Sequence, residues 1–331
     1  MKFEGIYPPV ITPHSEGGSI DRDGFVAMVE HLVESGVHGV IVGGTTGEYY
    51  AQTKEERVEL MKLANETLRG RLPLIVGVGA IRTEDCIEYG QLAKENGAEA
   101  ILLSAPYYAV PTQLELANHA LAVDRAVNLP IMLYNYPGRT GTTMQAEFFD
   151  RVGRSPNFRG IKESTGDVNQ LHMLAREYPH ITLLCGMDDQ ALEFFAWGAR
   201  GWVCAGGNCL PKEHVALYEA VALENDIVKG RRIMSALMPF MGILEQSGKF
   251  IQSIKHACRI EGLPTGPVRK PLQELNKQDK RELETVLKTL KSAMRKIQSE
   301  SPGKQSNIEE QPQIQQSKNT HGDQNVVTIN P

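Results

Sequence analysis

Segment 160–166, GIKESTG, contains the candidate nucleophile of the chain, Lys162. The apolar stretch before it predicts a strand, and Asp167 with the leucine spacing after it predicts the start of a helix. Lysines are mostly exposed, so one interpretation is an ordinary surface lysine at a strand end. The other is a buried lysine, whose amine loses its charge through desolvation and attacks a carbonyl to form a Schiff base.

Other polar residues follow the ends of further predicted strands. They are Thr45 and Thr46 after the second strand, Tyr107 and Tyr108 after the fourth, and Tyr134, Asn135 and Arg139 at the fifth. Hydroxyl groups can relay protons, and an arginine can hold a carboxylate through two hydrogen bonds. This set suits a carbonyl reaction, and its joint occurrence at strand ends favours the nucleophilic interpretation of Lys162.

Strand and helix patterns alternate along the first two-thirds of the chain, as expected for a parallel sheet. Asp21 can cap the first helix, and Thr53-x-x-Glu56 and Thr112-x-x-Glu115 are capping boxes that open two later helices. Strands are predicted at residues 6–12, 37–42, 72–78, 100–103, 130–134, 158–161, 181–185 and 201–204. Eight such units predict an α/β fold of the (β/α)8 TIM-barrel type, in which strand ends meet on one face. A doubly wound open sheet is the competitor, and the absence of a G-x-G-x-x-G turn after the first strand weakens it.

The rest of the chain predicts a C-terminal helical extension. Helices are expected at residues 211–223, 230–245 and 250–259, followed by a last helix capped by Asp279 with Glu282. Serine, glutamine, asparagine, lysine and proline then dominate, which is typical of disorder. We therefore predict a catalytic barrel at residues 1–210, a helical region at 211–300 and a disordered tail at 301–331.

Composition excludes several classes of protein. The 331 residues are 41% hydrophobic and 23% charged, which is ordinary for a globular protein. A net charge of -5 gives no basic surface for nucleic acid. The five cysteines form no C-x-x-C pair, and no apolar segment approaches membrane-spanning length. We expect a cytoplasmic protein with no nucleic-acid or membrane partner and no metal.

The motifs of this chain resemble those of one family. They are GTTGE at 44–48, Pro106-Tyr107-Tyr108, YNYP at 134–137, GIKE at 160–163 and Gly186-x-Asp188-Asp189. In order and spacing, from residue 3 to about 297, the chain resembles the dihydrodipicolinate synthase and N-acetylneuraminate lyase family of pyruvate-dependent class I aldolases. The resemblance implies a lyase in which Lys162 forms an imine with pyruvate. It implies no metal or other cofactor, because the protonated imine is itself the electron sink.

The resemblance also implies roles for the remaining candidates. Tyr134 relays protons at the reacting carbon, and Thr45 links it to Tyr108 of a neighbouring subunit. Thr46 holds the pyruvate carboxylate. The other two candidates at the substrate are Gly186 and the backbone carbonyl of Val203. A working site therefore requires a homo-oligomer, for which a dimer of dimers is expected.

The branch within the family stays open at this point. The segment that contains Arg139 resembles that of the synthase branch, in which this arginine binds the carboxylate of aspartate semialdehyde. Tyr49 after the GTTGE motif, and segment 204–208, depart from the usual synthase sequence. The synthase is the first hypothesis for the second substrate, a small carboxylated aldehyde or keto acid. The alternatives are a 2-keto-3-deoxy sugar acid aldolase or dehydratase, or an enzyme like N-acetylneuraminate lyase. A non-catalytic binding protein on the same fold is disfavoured, because Lys162, Tyr134 and Thr45 are all present.

Overall fold

A parallel eight-stranded sheet forms the centre of the molecule in the computed structural model, which describes residues 1–300. The strands are β1 (Gly5–Ile6), β2 (Val40–Val42), β3 (Leu74–Gly77), β4 (Ala100–Ser104), β5 (Ile131–Asn135), β6 (Phe158–Glu163), β7 (Thr182–Cys185) and β8 (Gly201–Trp202). Neighbours in the sheet are neighbours in sequence, and β8 returns to β1. A parallel bridge from Pro9 to Ile41 of β2 joins the two ends. The predicted (β/α)8 barrel is confirmed.

Helices surround the sheet and continue past it. They are α1 (Arg22–Glu34), α2 (Lys54–Leu68), α3 (Thr83–Glu95), α4 (Gln113–Val127), α5 (Pro137–Thr140), α6 (Ala146–Val152), α7 (Val168–Glu177), α8 (Ala191–Ala196), α9 (Pro211–Tyr218), α10 (Ile227–Gln246), α11 (Phe250–Ile260) and α12 (Lys277–Ser299). The last four form the predicted C-terminal extension. No helix within residues 1–300 is both long and apolar enough to cross a membrane.

Local signals in the sequence fix several helix starts. Asp21 accepts a hydrogen bond from the Gly24 N–H at the start of α1. Capping boxes open α2 at Thr53 with Glu56, and α4 at Thr112 with Glu115. Each side chain satisfies a backbone N–H that has no partner inside its helix. These caps were predicted and are confirmed, and they determine where helices α1, α2 and α4 begin.

Most predicted boundaries differ from the structure by a few residues, and three of the differences matter for the site or have a clear physical reason. Strand β1 ends at Ile6 because the following prolines lack the N–H that a ladder requires. Strand β6 continues through Lys162 to Glu163, so the lysine lies inside a strand and not beyond its end. The predicted cap of α12 is wrong, because Asn276 accepts hydrogen bonds from the N–H groups of Gln278 and Asp279. The tail predicted at residues 301–331 lies outside the described residues.

The apolar core has two parts. The larger part fills the space between the barrel and its helices, and it includes Leu283, Leu287 and Leu290 of α12. The smaller part fills the barrel interior and includes Tyr134, Leu184 and Val203. Parallel strands covered on both faces must be apolar on both, which explains the continuous apolar runs in the sequence. A lysine that enters the interior layer is therefore removed from water.

Candidate active site

Lys162 enters the barrel interior from β6. Its Cα is in register with those of Tyr134 on β5 and Leu184 on β7. The residue is 8% exposed, and its Nζ lies 4.1 Å from the centre of the Tyr134 ring. Burial lowers the pKa of the amine, while the negative charges of Asp188 and Glu245 oppose this shift. A neutral amine is a nucleophile for carbonyl carbon, so this geometry suits Schiff-base chemistry.

Tyr134 presents a hydroxyl beside this amine. Burial raises the pKa of the phenol, so the group keeps its proton and can donate it. The hydroxyls of Thr45 and Ser164 both face it and lower its pKa, as does the charge of Arg139. Three hydroxyl groups thus surround one reaction position, which is what a proton relay requires.

The loop that carries Thr45 and Thr46 is built on glycines. Gly43 follows β2 with φ +74, and a side chain there would approach the Gly77 backbone oxygen to 3.0 Å. Thr45–Gly47 then forms one 3-10 turn, in which Thr46 is 3% exposed. Glycine permits this reversal, since other residues strain at positive φ. The turn presents the two threonines at the carboxyl end of the barrel.

A buried ion pair holds the end of this loop. Glu48 has the left-handed φ of 59, and its Oε1 lies 2.6 Å from Lys255 Nζ of α11. Neither side chain is exposed. The N–H of Arg269 donates to Glu48 Oε2 at 2.9 Å, and Lys255 also donates to the Pro267 oxygen at 2.8 Å. The C-terminal region thereby fixes the turn that contains Thr45.

Two carboxyl groups lie close enough to Lys162 to raise the pKa of its amine. Asp188 follows β7 and accepts hydrogen bonds from Trp202 Nε1 at 2.9 Å and the Gly206 N–H at 3.0 Å. Glu245 reaches the same place from the last turn of α10. Burial raises the pKa of both carboxyl groups, and their mutual repulsion raises that of Glu245 further. Within the described residues, no cluster of three or more His, Cys, Asp or Glu is arranged to hold a metal ion.

An adjoining cavity of about 150 Å³ provides room for a substrate. It is lined by Thr45, Tyr49, Ser104, Tyr107, Tyr134 and Arg139, among others. The wall combines hydroxyl groups, aromatic faces and one cation. This lining suits a small molecule that carries a carboxylate and a carbonyl.

The structure brings most of the predicted site residues together. Gly186 is in contact with Lys162, since a side chain at Gly186 would approach Lys162 Cγ to 2.7 Å. Val203 is buried in the same interior layer as Tyr134. Arg139 lies at the cavity, whereas Tyr108 is 91% exposed with φ 69 and projects away from this chain.

Sequence reasoning missed three contributors to the site: Ser164, Glu245 and Lys255. Ser164 had a usable signal, because side chains two positions apart on a strand share a face. Lys255 is a charged residue on the largely apolar face of α11, which is a second signal. Glu245 had no local signal, since only the packing of α10 against the loop after β7 brings it to Lys162.

The chain is similar to known proteins of one family. The model of the dihydrodipicolinate synthetase family matches residues 2–290. A 4-hydroxy-tetrahydrodipicolinate synthase of Exiguobacterium sibiricum is 38% identical over 271 residues, which are 82% of this chain and 92% of the relative. The solved 4-hydroxy-tetrahydrodipicolinate synthase of Methylacidiphilum fumariolicum SolV has a TM-score of 0.85 at 31% identity, covering 90% of this chain and 99% of that one.

A solved structure with a bound small molecule also matches. It is the chloride-inhibited dihydrodipicolinate synthase from Acinetobacter baumannii, complexed with pyruvate. The TM-score is 0.82 at 32% identity, and the match covers 88% of this chain and 99% of that one.

The Glu48–Lys255 pair yields a stability prediction. Lys255→Met should destabilise the protein by about 3–5 kcal/mol, because it leaves the Glu48 charge buried without its partner. The double variant Lys255→Met/Glu48→Gln should recover most of that loss. Urea unfolding measures both. Lys229→Met, which breaks an exposed pair with Glu224, is the matched control and should cost at most about 1 kcal/mol. A double variant no more stable than Lys255→Met would contradict the assignment.

Glu245 yields a pH prediction. Its negative charge raises the pKa of Lys162, so Glu245→Gln should lower that pKa and free the amine at lower pH. The rate of imine formation with pyruvate, followed by borohydride trapping across pH, should reach its midpoint at lower pH than in the wild type. Glu224→Gln removes a surface carboxylate that pairs with Lys229 and should leave the profile unchanged. An unshifted profile for Glu245→Gln would contradict the electrostatic contact.

Proposed function

The chain belongs to the dihydrodipicolinate synthetase family, and from that premise we propose that it is a 4-hydroxy-tetrahydrodipicolinate synthase. This enzyme condenses pyruvate with aspartate semialdehyde through an imine on Lys162. The observation that carries the proposal is the buried amine of Lys162, which lies against the ring of Tyr134. The complex of a relative with pyruvate supports the first substrate.

The reaction begins with the neutral amine of Lys162. It adds to the keto carbon of pyruvate, and the resulting carbinolamine takes up one proton and loses water to give a protonated imine. That cation draws electrons from the neighbouring methyl carbon, so a methyl proton leaves and an enamine forms. The enamine carbon then attacks the aldehyde of the second substrate. Desolvation favours the first step, since it lowers the pKa of the amine and leaves more of it unprotonated.

The hydroxyl groups of Tyr134, Thr45 and Tyr108 transfer the protons. Tyr134 donates and accepts protons at the reacting carbon, with Thr45 beside it. Tyr108 completes this relay from a neighbouring subunit, a role that its 91% exposure supports. The assembly is therefore a homo-oligomer of at least two chains, with a dimer of dimers as the expected form.

The remaining residues position the substrates. Thr46 and the backbone around it hold the pyruvate carboxylate, and the guanidinium of Arg139 holds the carboxylate of the aldehyde. Gly186 has no side chain and so leaves space for the substrate beside Lys162. The backbone carbonyl of Val203 faces the substrate from β8. Residues 1–210 form the catalytic barrel and 211–300 the helical region that supports it.

We place the protein in the cytoplasm. All five cysteines are buried and free, which accords with a reducing compartment. No cofactor beyond the imine itself is required for the reaction.

One observation favours a second candidate, cleavage or dehydration of a 2-keto-3-deoxy sugar acid. Tyr49 lines the cavity, and the carboxyl of Glu245 lies near Lys162. The hydroxyl of Tyr49 and the carboxyl of Glu245 can hydrogen-bond the hydroxyl groups of a sugar acid. The same two groups can also bind the ammonium group of aspartate semialdehyde. A panel of such acids, assayed beside pyruvate with aspartate semialdehyde, separates the two candidates by kcat/KM.

The imine yields the decisive chemical prediction. Borohydride added with pyruvate should reduce the imine and add the corresponding mass to the peptide that contains Lys162. Lys162→Ala should abolish both the mass and the turnover of pyruvate with aspartate semialdehyde. Trapping at another lysine in active protein would refute the assignment of Lys162.

Arg139 yields a prediction about the second substrate. Arg139→Ala should raise the KM for aspartate semialdehyde at least about 10-fold, since a charge-assisted hydrogen bond contributes about 1.5–3 kcal/mol. Pyruvate trapping should stay near the wild-type rate. Arg159→Ala, which changes an exposed arginine of β6 outside the cavity, is the control. Equal losses for both substrates would instead indicate a structural role for Arg139.

A further inference from the structure

Arg57 of helix α2 is a buried charged residue to which no role has been assigned. The residue is 5% exposed, and within residues 1–300 no Asp or Glu forms an ion pair with it. Desolvation lowers the pKa of its guanidinium, and the phenols of Tyr89 and Tyr49 are the main groups that oppose this shift. A buried charge without a counter-charge destabilises a fold. An uncharged side chain of similar size, such as methionine, would avoid that cost, so packing alone does not explain the arginine.

Four groups hold the guanidinium of Arg57 in one position. Its Nη2 donates to the Gly77 oxygen at 2.8 Å, and its Nη1 lies 3.5 Å from the Gly79 oxygen. Its Cζ lies 3.5 Å from the centre of the Tyr89 ring and 5.3 Å from that of the Tyr49 ring. A guanidinium attracts the face of an aromatic ring at these distances. The backbone at the end of β3 therefore fixes a cation against which both rings pack.

Tyr49 is the member of this group that reaches the cavity. Its ring lines the cavity together with Tyr134 and Arg139. Tyr49 begins a 3-10 turn of three residues, directly after the left-handed Glu48. A turn this short makes few backbone hydrogen bonds of its own, so the direction of the Tyr49 side chain depends on what the ring packs against. Arg57 supplies such a contact from beneath the cavity wall.

The wall that Tyr49 forms lies on the side of the cavity away from Lys162. A Cβ at Gly79 would lie 3.4 Å from Tyr49 Oη and 2.8 Å from Ser104 Oγ, so both hydroxyl groups converge at the end of β4. Ser104 is in register with Tyr134 of β5, which is in register with Lys162 of β6. Two strand spacings, about 10 Å, therefore separate Ser104 from Lys162. Pyruvate bound at Lys162 leaves this side of the cavity to the second substrate.

We propose that Arg57 is a positioning residue, which holds the ring of Tyr49 as the wall that selects the second substrate by size. This inference rests on the proposed function and assigns two further residues to it. The cavity has a volume of about 150 Å³, so a ring that fills one side of it decides whether a larger aldehyde fits. Arg57 itself touches no substrate, and Tyr49 takes no part in the transfer of protons.

Selectivity between two aldehydes measures the wall directly. N-acetyl-aspartate semialdehyde has the carboxylate and the aldehyde of aspartate semialdehyde but is larger. The ratio of kcat/KM for the unmodified aldehyde to that for the acetylated one should fall at least about 10-fold in Tyr49→Ala, the low end of what one misfit in a pocket changes. Tyr49→Phe keeps the ring and should keep the ratio. An equal fall in Tyr49→Phe would assign the selection to the hydroxyl and overturn selection by size.

Arg57→Met tests the positioning role, because it keeps a side chain of similar size and removes the charge. It should lower the same ratio about as much as Tyr49→Ala. Borohydride trapping of pyruvate should stay within about 3-fold of wild type, since the contacts of Lys162 are unchanged. If Arg57→Met does not fold, Arg57→Lys replaces it and should also lower the ratio, because lysine lacks the planar fork that stacks on a ring.

A double variant tests whether Arg57 acts through Tyr49. Once the ring is absent, Arg57 has nothing to position, so Tyr49→Ala/Arg57→Met should have the same ratio as Tyr49→Ala alone. Two independent sites would instead multiply their effects. The matched control is Arg71→Met, which removes an exposed arginine that pairs with Glu30 beyond the end of α2, and it should keep the wild-type ratio.

A spectroscopic readout follows the ring without any aldehyde. A fluorine label on the Tyr49 ring should give a single sharp NMR signal when Arg57 is present, because the guanidinium holds the ring in one position. The signal should shift and broaden in Arg57→Met and should stay unchanged in Arg71→Met. A purely structural contribution of Arg57 elsewhere in α2 would not move it.

The outcomes separate this inference from the function on which it rests. A wild-type ratio in Arg57→Met or in Tyr49→Ala would overturn the inference and leave the synthase assignment intact. A double variant whose losses multiply, or a fluorine signal unchanged in Arg57→Met, would also overturn it. Wild-type protein that traps pyruvate but consumes no aspartate semialdehyde would contradict the proposed second substrate, and the fluorine signal would then decide the positioning role by itself.

Discussion

The active site depends on the register between β5 and β6. Tyr134 is in register with Lys162, and the next pair along the strands is Asn135 with Glu163. A shift of one residue would turn every side chain of β6 to the other face of the sheet. On that other face Asn135 Nδ2 donates to Glu163 Oε2 at 2.8 Å, while Asn135 Oδ1 accepts from the Met144 N–H at 2.9 Å. This buried amide–carboxyl contact therefore fixes the relative position of the nucleophile and the proton donor without touching either of them.

Given that register, burial and nearby negative charge have opposite effects on the protonation of Lys162. Desolvation favours the neutral amine, which is the reactive form, but the protonated imine that follows is a cation and benefits from nearby negative charge. Asp188 and Glu245 supply that charge, and burial raises the pKa of both carboxyl groups, so their ionisation responds to the charge on Lys162. The site is thus dry enough to release a proton from the lysine, and acidic enough to stabilise the positive charge that forms on the same nitrogen.

The sequence predicted what depends on local pattern. Apolar runs located the eight strands, and the capping boxes at Thr53 and Thr112 located helix starts, because each signal involves neighbours in the chain. The barrel then placed Lys162 and Tyr134 together, since strand ends of a parallel barrel meet on one face. The pattern could not place Glu245, whose approach to Lys162 depends on how α10 packs against the loop after β7. It also misplaced the cap of α12, because Asn276 and Asp279 are both good capping residues and only the backbone conformation selects between them.

The C-terminal helical region belongs to the active site in a physical sense, although it follows the barrel in sequence. Glu48 has a left-handed backbone, a conformation that residues other than glycine adopt at a cost. Its carboxylate is held by Lys255 of α11 and by the Arg269 N–H, and the Arg269 guanidinium donates to the Ala51 oxygen at 2.7 Å. All of these contacts secure the segment that begins at Thr45, whose hydroxyl faces Tyr134. If the helical region detached, the buried Glu48 charge would lose its partner and the turn would lose its support. Docking of that region and correct placement of Thr45 are therefore one event.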